Sequence, residues 1–198
     1  MSLRVAVLAS GSGTILDAAL HDGVPVEVVV VDRPCGAVAI AQRHGVPVEL
    51  VERTSYGPDF DRDGYTQQIV DLLQKFDIDL VVMAGYGTIL GEPMFAAFAG
   101  HIVNTHPALL PSFKGWHAVE AALEAGVKVT GCTVHVATAA VDDGPILAQE
   151  AVRVVPGDTP ATLHERIKVV ERELYVQTIK DILGRGSVLE IPAAPCAS

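Results

Sequence analysis

Positive charge is scarce in this chain. Its 198 residues carry 14 Lys and Arg against 24 Asp and Glu, a formal net charge of -10. No diffuse positive field exists to hold nucleic acid or an anionic membrane surface, so any anionic substrate needs a local site. Cysteine is nearly absent too. Cys35, Cys132 and Cys196 form no close pair and no metal-ligand spacing, which excludes a disulfide framework and fits free thiols in a reducing, cytoplasmic compartment. The apolar run after Met1-Ser2-Leu3-Arg4 is too short to span a bilayer and lacks a small-residue cleavage site. No Gly-Lys-Ser/Thr, no Gly-x-Gly-x-x-Gly and no His-x-x-x-His occurs. The usual sequence support for a triphosphate loop, a dinucleotide fold or a helical zinc site is therefore missing, although His101, His106, His117 and His135 fall in one half of the chain.

What is abundant is apolar residues, 49% of the total, enough for a full core in a chain of this length. Arg4 to Ala9 is a Val, Ala and Leu run bounded by Ser10-Gly11-Ser12-Gly13, the pattern of a strand buried on both faces. A helix over Thr14 to Asp22 follows, then strand Val26 to Val31, helix Ala37 to His44, strand Val46 to Val51, helix Asp61 to Lys75, and strands Ile78 to Ala84 and His101 to Asn104. This alternation predicts parallel crossovers in an α/β, doubly wound, mostly parallel open sheet, with ligands beyond the carboxyl ends of its strands. Those ends are the loops Ser10 to Thr14, Gly85 to Thr88 and Asn104 to Pro111. Two β-rich runs, Thr130 to Ala137 and Pro145 to Val155, extend the sheet. Asp158-Thr159-Pro160 then opens a long final helix with apolar Leu163, Ile167, Val170 and Leu174, ending before Gly184. One domain is expected over 1–198, its core at about 4–183 and a frayed tail at 190–198.

Three short segments carry chemistry. Ser10-Gly11-Ser12-Gly13-Thr14, between strand and helix, offers backbone N–H groups and a helix dipole to an anion, or is simply a tight turn that needs glycine. Asn104 and His106 can present an amide and an imidazole at one point if their segment is extended, and such donors stabilise a developing oxyanion by roughly 3 kcal/mol each. A carboxylate from Val141-Asp142-Asp143-Gly144-Pro145 can keep His106 protonated or orient it. Spacing alone leaves open whether Asp142 or Asp143 points inward. Each group also has an ordinary structural use as a cap, a core histidine or a turn. No nucleophilic Ser or Cys stands out in these loops, which favours direct transfer over a covalent intermediate.

Taken in order, Ala9-Ser10-Gly11-Ser12-Gly13-Thr14, Ala84-Gly85-Tyr86, Asn104-Thr105-His106-Pro107-Ala108-Leu109-Leu110-Pro111, Gly131-Cys132-Thr133-Val134-His135 and Asp142-Asp143-Gly144-Pro145 resemble the folate-dependent glycinamide ribonucleotide formyltransferases. The likeness runs from about Arg4 to Leu183, and its Asn-x-His-Pro-x-Leu-Leu-Pro segment is the specific part. The resemblance implies transfer of a formyl group from 10-formyltetrahydrofolate, a co-substrate, to the amine of phosphoribosylglycinamide in purine synthesis, with no metal. It implies that Asn104, His106 and Asp142 are catalytic, with Asp142 chosen over Asp143, that His135 supports them, and that Leu110-Pro111 is cis. It assigns phosphoribosylglycinamide to Gly11, Ser12, Gly13, Thr14, Ile15, Lys168 and Glu171. It assigns folate to Arg62, Gly87, Thr88, Ile89, Leu90, Asn104, Ala139, Ala140 and Val141. Small molecules are the expected partners, and a homodimer through the apolar residues of Met94 to Phe98 is a further expectation.

The chain departs from that family at several positions. Thr14-Ile15 stands where Ser-Asn is usual, removing a side-chain amide donor to phosphate. Gly87-Thr88 replaces a frequent Met-Arg, leaving main-chain contacts to folate. His101 replaces a common arginine beside the phosphate region, and Asp143 replaces a glycine. Two rivals are set against this reading. Another formyl-folate enzyme, a methionyl-tRNA formyltransferase or a hydrolase, is expected to need an RNA-binding or regulatory domain for which the chain has no room. A non-catalytic nucleotide-binding module would need the glycine loop but no oxyanion site.

Overall fold

Period-2 alternation in the apolar runs sorts their side chains onto two sheet faces, and both faces are covered. A computed structural model describes residues 3–189. Its elements are β1 (Val5–Ala9), α1 (Thr14–His21), β2 (Val26–Val31), α2 (Gly36–Arg43), β3 (Val48–Leu50), α3 (Arg62–Lys75), β4 (Leu80–Met83), α4 (Glu92–Ala97), β5 (Ile102–His106), α5 (Ala118–Glu124), β6 (Val129–Val136), β7 (Ile146–Arg153) and α6 (Pro160–Arg185). The strands form one sheet ordered β3-β2-β1-β4-β5-β6-β7. β1 to β5 run parallel, while β6 and β7 are antiparallel additions beside β5. The chain reverses its direction of winding between β1 and β4, so their carboxyl ends flank the crevice where such sheets bind ligands.

Val5, Val7, Ala9, Val29, Val31, Val82, Val103 and Val134 pack towards α1, α2 and α6. Ala6, Leu8, Val28, Val30, Val81 and Ile102 pack towards α3 and α4. Neighbouring residues of one strand thus serve opposite layers, which is why the runs look uniformly apolar. Tyr175 of α6 is fully buried, and its hydroxyl reaches the carbonyls of Val103 at 2.7 Å and Met83 at 3.2 Å. That contact pins α6 across the ends of β4 and β5.

Several boundaries differ from expectation for physical reasons. β5 runs on through His106, because antiparallel pairing of Asn104 with His135 and of His106 with Thr133 keeps it extended; Asn104 is not the start of a loop. α6 passes through Gly184 to Arg185 and stops at Gly186, whose φ of 72° supplies the left-handed cap. At its other end Thr159 is the cap residue and forms a capping box with Thr162. α4 and α5 have too few turns to show a period. Of the segment expected at a homodimer contact, Met94 and Phe98 are buried in the core beside Ile102, Phe95 is half-buried, and Ala96 and Ala97 are exposed. His101 precedes β5 and so lies at the opposite end of the sheet from the glycine loop. Parallel strand polarity forbids the placement beside phosphate expected for it. The tail expected at 190–198 lies outside the described residues. Among the described residues, no helix is long and apolar enough to cross a membrane.

Candidate active site

A cavity of about 440 Å³ opens where β1, β4 and β5 end, within the size range of small-molecule sites. Its wall includes Gly11, Ser12, Gly13, Thr14 and Ile15, the whole expected anion loop. Gly13 holds the turn at φ 77°, and a Cβ there would stand 2.8 Å from the Ala37 backbone. Only glycine lets the loop pass so close to α2 before α1 begins. Ile15 is buried in the core with Leu16, leaving backbone N–H groups and the hydroxyls of Ser12 and Thr14 as the loop's donors.

Four expected residues meet on the cavity wall. Asn104 and His106 alternate on one face of β5, and Thr105 between them points to α6. The Asn104 Nδ2 amide donates to His135 Nε2 at 3.3 Å, and His135 Nδ1 donates to the Val136 carbonyl at 3.1 Å. Burial pushes the His135 imidazole below its ordinary range, against the opposing pull of the Val136 carbonyl and Asp142. A neutral His135 with its proton on Nδ1 accepts from Asn104 and so fixes which way that amide faces. Asp142 Oδ2 lies 3.3 Å from His106 Nδ1 and accepts the Gly115 N–H at 2.8 Å, while Oδ1 lies 3.6 Å from His135 Nε2. His106 Nε2 donates to the Phe113 carbonyl at 2.7 Å.

The structure separates the two aspartates. Asp142 is 8% exposed, whereas the Asp143 side chain is 60% exposed and pairs with Lys114. The Lys114 ammonium holds the Asp143 carboxyl below the usual range, so the charge replacing a glycine is turned to solvent and balanced. Gly144 closes the turn, because a Cβ there would collide with the Val136 carbonyl. Leu110-Pro111 is cis. The segment leading to it hangs on buried Thr133, whose hydroxyl donates to the Ala108 carbonyl at 2.6 Å and accepts the Leu110 N–H at 3.0 Å.

On α6, Lys168 and Glu171 both line the cavity. They are not paired with each other. Lys168 Nζ bonds Glu165 Oε1 at 2.7 Å, and Glu171 Oε1 accepts from the Thr105 hydroxyl at 2.8 Å. Burial pushes the Glu171 carboxyl up, with the Thr105 bond opposing. Arg172, His164 and Trp116 also line the cavity and had no place in the sequence reading; Tyr86, from the Ala84-Gly85-Tyr86 segment, and Phe95, from the segment expected at a dimer contact, line it too. For Arg172 and His164, spacing of four from Lys168 was the available signal.

The expected folate wall is partly assembled. Thr88, Ile89, Leu90, Ala139 and Val141 border the cavity, but Gly87 and Ala140 do not. The Gly87 N–H is spent on Ser10 Oγ at 2.7 Å, and the Thr88 hydroxyl on Asp32 Oδ2 at 2.8 Å. Asp32 is fully buried and also receives the Arg33 fork at 3.0 Å. Burial pushes the Asp32 carboxyl up, but bonds from Arg33, Thr88 and Ser10 outweigh it and hold it below the usual range. Arg62 also falls outside the cavity. Placed exposed at the start of α3, it borders an adjoining cleft that shares Leu90, Phe95 and Ala139 with the main one. No group of three or more His, Cys, Asp or Glu among the described residues is arranged to hold a metal ion.

Comparison with known proteins matches residues 3–179 to the formyl transferase family model. The chain is 47% identical over 189 residues to a phosphoribosylglycinamide formyltransferase of Mycobacterium tuberculosis, covering 92% of this chain and 86% of that protein. It is 39% identical over 192 residues to the human trifunctional purine biosynthetic protein adenosine-3, covering 93% of this chain but 19% of that protein. Among solved structures, glycinamide ribonucleotide transformylase 1 of Symbiobacterium toebii superposes with a TM-score of 0.87 at 40% identity, covering 96% of this chain and 91% of that one.

Proposed function

The chain belongs to the formyl transferase family, and from that premise we propose that it transfers a formyl group to the amine of phosphoribosylglycinamide in purine biosynthesis, with 10-formyltetrahydrofolate as the donor. One observation carries the site assignment. Asn104 and His106 share a face of β5, Asp142 sits against the His106 ring, and the anion loop forms another part of the same cavity wall.

In this reading the phosphate rests on the Gly11 to Ile15 loop and Lys168, the ribose hydroxyls meet the Glu171 carboxylate, and the amine points at Asn104. The apolar wall of Ile89, Leu90, Ala139 and Val141 takes the pteridine, and Arg62 in the adjoining cleft meets the glutamate carboxylates. As the amine attacks, negative charge builds on the formyl oxygen. The second Nδ2 proton of Asn104 and the Nε2 proton of His106, exchanged from the Phe113 carbonyl, are the donors placed to receive it. Asp142 keeps His106 oriented and orders the water that carries a proton from the amine to the departing N10. The reading needs no metal and no covalent enzyme intermediate. A cytoplasmic setting suits Cys35 and Cys132, both free thiols.

The experiment mixes the protein with 10-formyltetrahydrofolate and phosphoribosylglycinamide and follows the deformylated folate. Turnover that requires the amine is expected. Equal turnover without the amine identifies a hydrolase, and none with it removes the enzymatic reading.

A further inference from the structure

Among the residues lining the cavity, only Lys168 and Arg172 carry a fixed positive charge, and they stand one turn apart on α6. In a chain of net charge -10, two cations on one cavity face mark the place where an anion is held. The two differ in what already occupies them. Lys168 is engaged by Glu165, a largely exposed partner on the same helix. Arg172 is half-buried, and no carboxylate among the described residues lies within ion-pair distance of its guanidinium.

Glu171, between them in sequence, is turned to Thr105 and buried. His164, one turn before Lys168, also lines the cavity, and burial holds its ring towards the neutral form. The glycine loop offers no amide side chain, since position 15 is a buried isoleucine. Backbone N–H groups satisfy phosphate oxygens but leave the dianion's charge largely uncompensated. A guanidinium supplies both charge and a planar fork that matches two phosphate oxygens.

We propose that Arg172 is a phosphate-binding residue, sharing the phosphate of phosphoribosylglycinamide with Lys168 and replacing the donor missing at Ile15. The identity of the phosphate carrier rests on the formyl-transfer reading; the phosphate site itself does not.

The test uses the full chain with Arg172→Gln and Arg172→Lys. Arg172→Gln is expected to raise KM for phosphoribosylglycinamide by roughly 10- to 100-fold, the scale of a charge-assisted bond pair. The kcat and the KM for folate stay within about twofold, and Arg172→Lys restores part of the loss. With the dephosphorylated glycinamide riboside as substrate, wild type and Arg172→Gln should perform alike. An unchanged KM for the phosphorylated amine, or an equal rise in the KM for folate, overturns the proposal. Titration with inorganic phosphate, read by calorimetry, gives a result independent of turnover. Binding by wild type that weakens at least tenfold in Arg172→Gln supports the assignment, and no binding or equal binding overturns it. Absent formyl transfer combined with Arg172-dependent phosphate binding would sink the enzymatic reading and leave the phosphate site standing.

Discussion

Asp142 reaches His106 from a left-handed backbone: its φ is 54° and its Oδ2 lies 3.3 Å from Nδ1. Phe113, at φ 56°, presents its carbonyl to the other ring nitrogen at 2.7 Å. Two non-glycine residues in a sparsely populated conformation, each costing of order 1 kcal/mol or more, clamp one imidazole between two acceptors. Aspartate tolerates this region better than most residues, and phenylalanine does not. Strain concentrated on both sides of a single buried ring marks that ring as the one the fold is organised to hold.

Asp142→Asn keeps the shape and the tolerated backbone but removes the charge beside His106. Turnover should fall by roughly three orders of magnitude, the scale seen when a preorganised electrostatic partner is lost, while the unfolding midpoint moves little. Asp143→Asn, on the solvent side, should stay within about twofold of wild type. Steady-state kinetics on the pair decides whether the two neighbours differ as the geometry requires.

Thr133 is the strut under the segment that follows β5. Thr133→Val leaves the Leu110 N–H and the Ala108 carbonyl without a partner in a buried place, at about 1–3 kcal/mol each. Urea unfolding should show a loss of about 2–4 kcal/mol at unchanged m-value. A loss below about 0.5 kcal/mol would mean that the hydroxyl is not what holds the cis Leu110-Pro111 segment in place.

Glu171 has its carboxyl pushed up by burial, so the folded state binds its proton more tightly than the unfolded chain. Its ionisation therefore costs stability as pH rises from the unfolded value near 4.5 through the raised folded value. Glu171→Gln should be more stable than wild type at neutral pH, with the gain vanishing as pH falls towards 4.5. The same variant should bind phosphoribosylglycinamide more weakly. Thermal unfolding over that pH range, beside the KM, separates a binding carboxylate from a purely structural one.

His135 carries a shift of the other consequence. Burial lowers its pKa below 6.5, so the unfolded chain takes up the proton first, and stability rises with pH between the depressed folded value and 6.5. Stability curves of wild type and His135→Gln should diverge in that window and run parallel above it. His164 is shifted in the same direction, so His164→Gln should remove a further part of the slope. Identical pH slopes in wild type and His135→Gln would contradict a neutral His135 that accepts from Asn104.

The fold was legible wherever a run was long enough to show its period. Val26 to Val31 matches β2 residue for residue, and the parallel core follows from alternating strands and helices. The candidate catalytic segment was legible as chemistry but only half as structure, since pairing with β6 alone reveals that the strand expected over His101 to Asn104 runs on through His106. Asp142 could not be told from Asp143 by spacing, because the choice rests on a left-handed φ and on a distant Lys114. Position alone did not separate Arg62 from Gly87: tertiary placement puts Arg62 on the adjoining cleft beside the main cavity and commits the Gly87 N–H to Ser10. Arg172 went unremarked because, on a helix rich in Lys, Arg and Glu, one more cation looks like solvated surface until the cavity is drawn.

The most direct test of the central claim is His106→Asn under single-turnover conditions with 10-formyltetrahydrofolate and phosphoribosylglycinamide. Asparagine keeps a donor but cannot carry a second proton or answer Asp142. The formyl-transfer rate should fall to background, while the Kd of each substrate, measured separately, stays within about threefold of wild type, because the ring acts mainly as charge develops. A His106→Asn protein that transfers the formyl group at near wild-type rate would contradict the assignment.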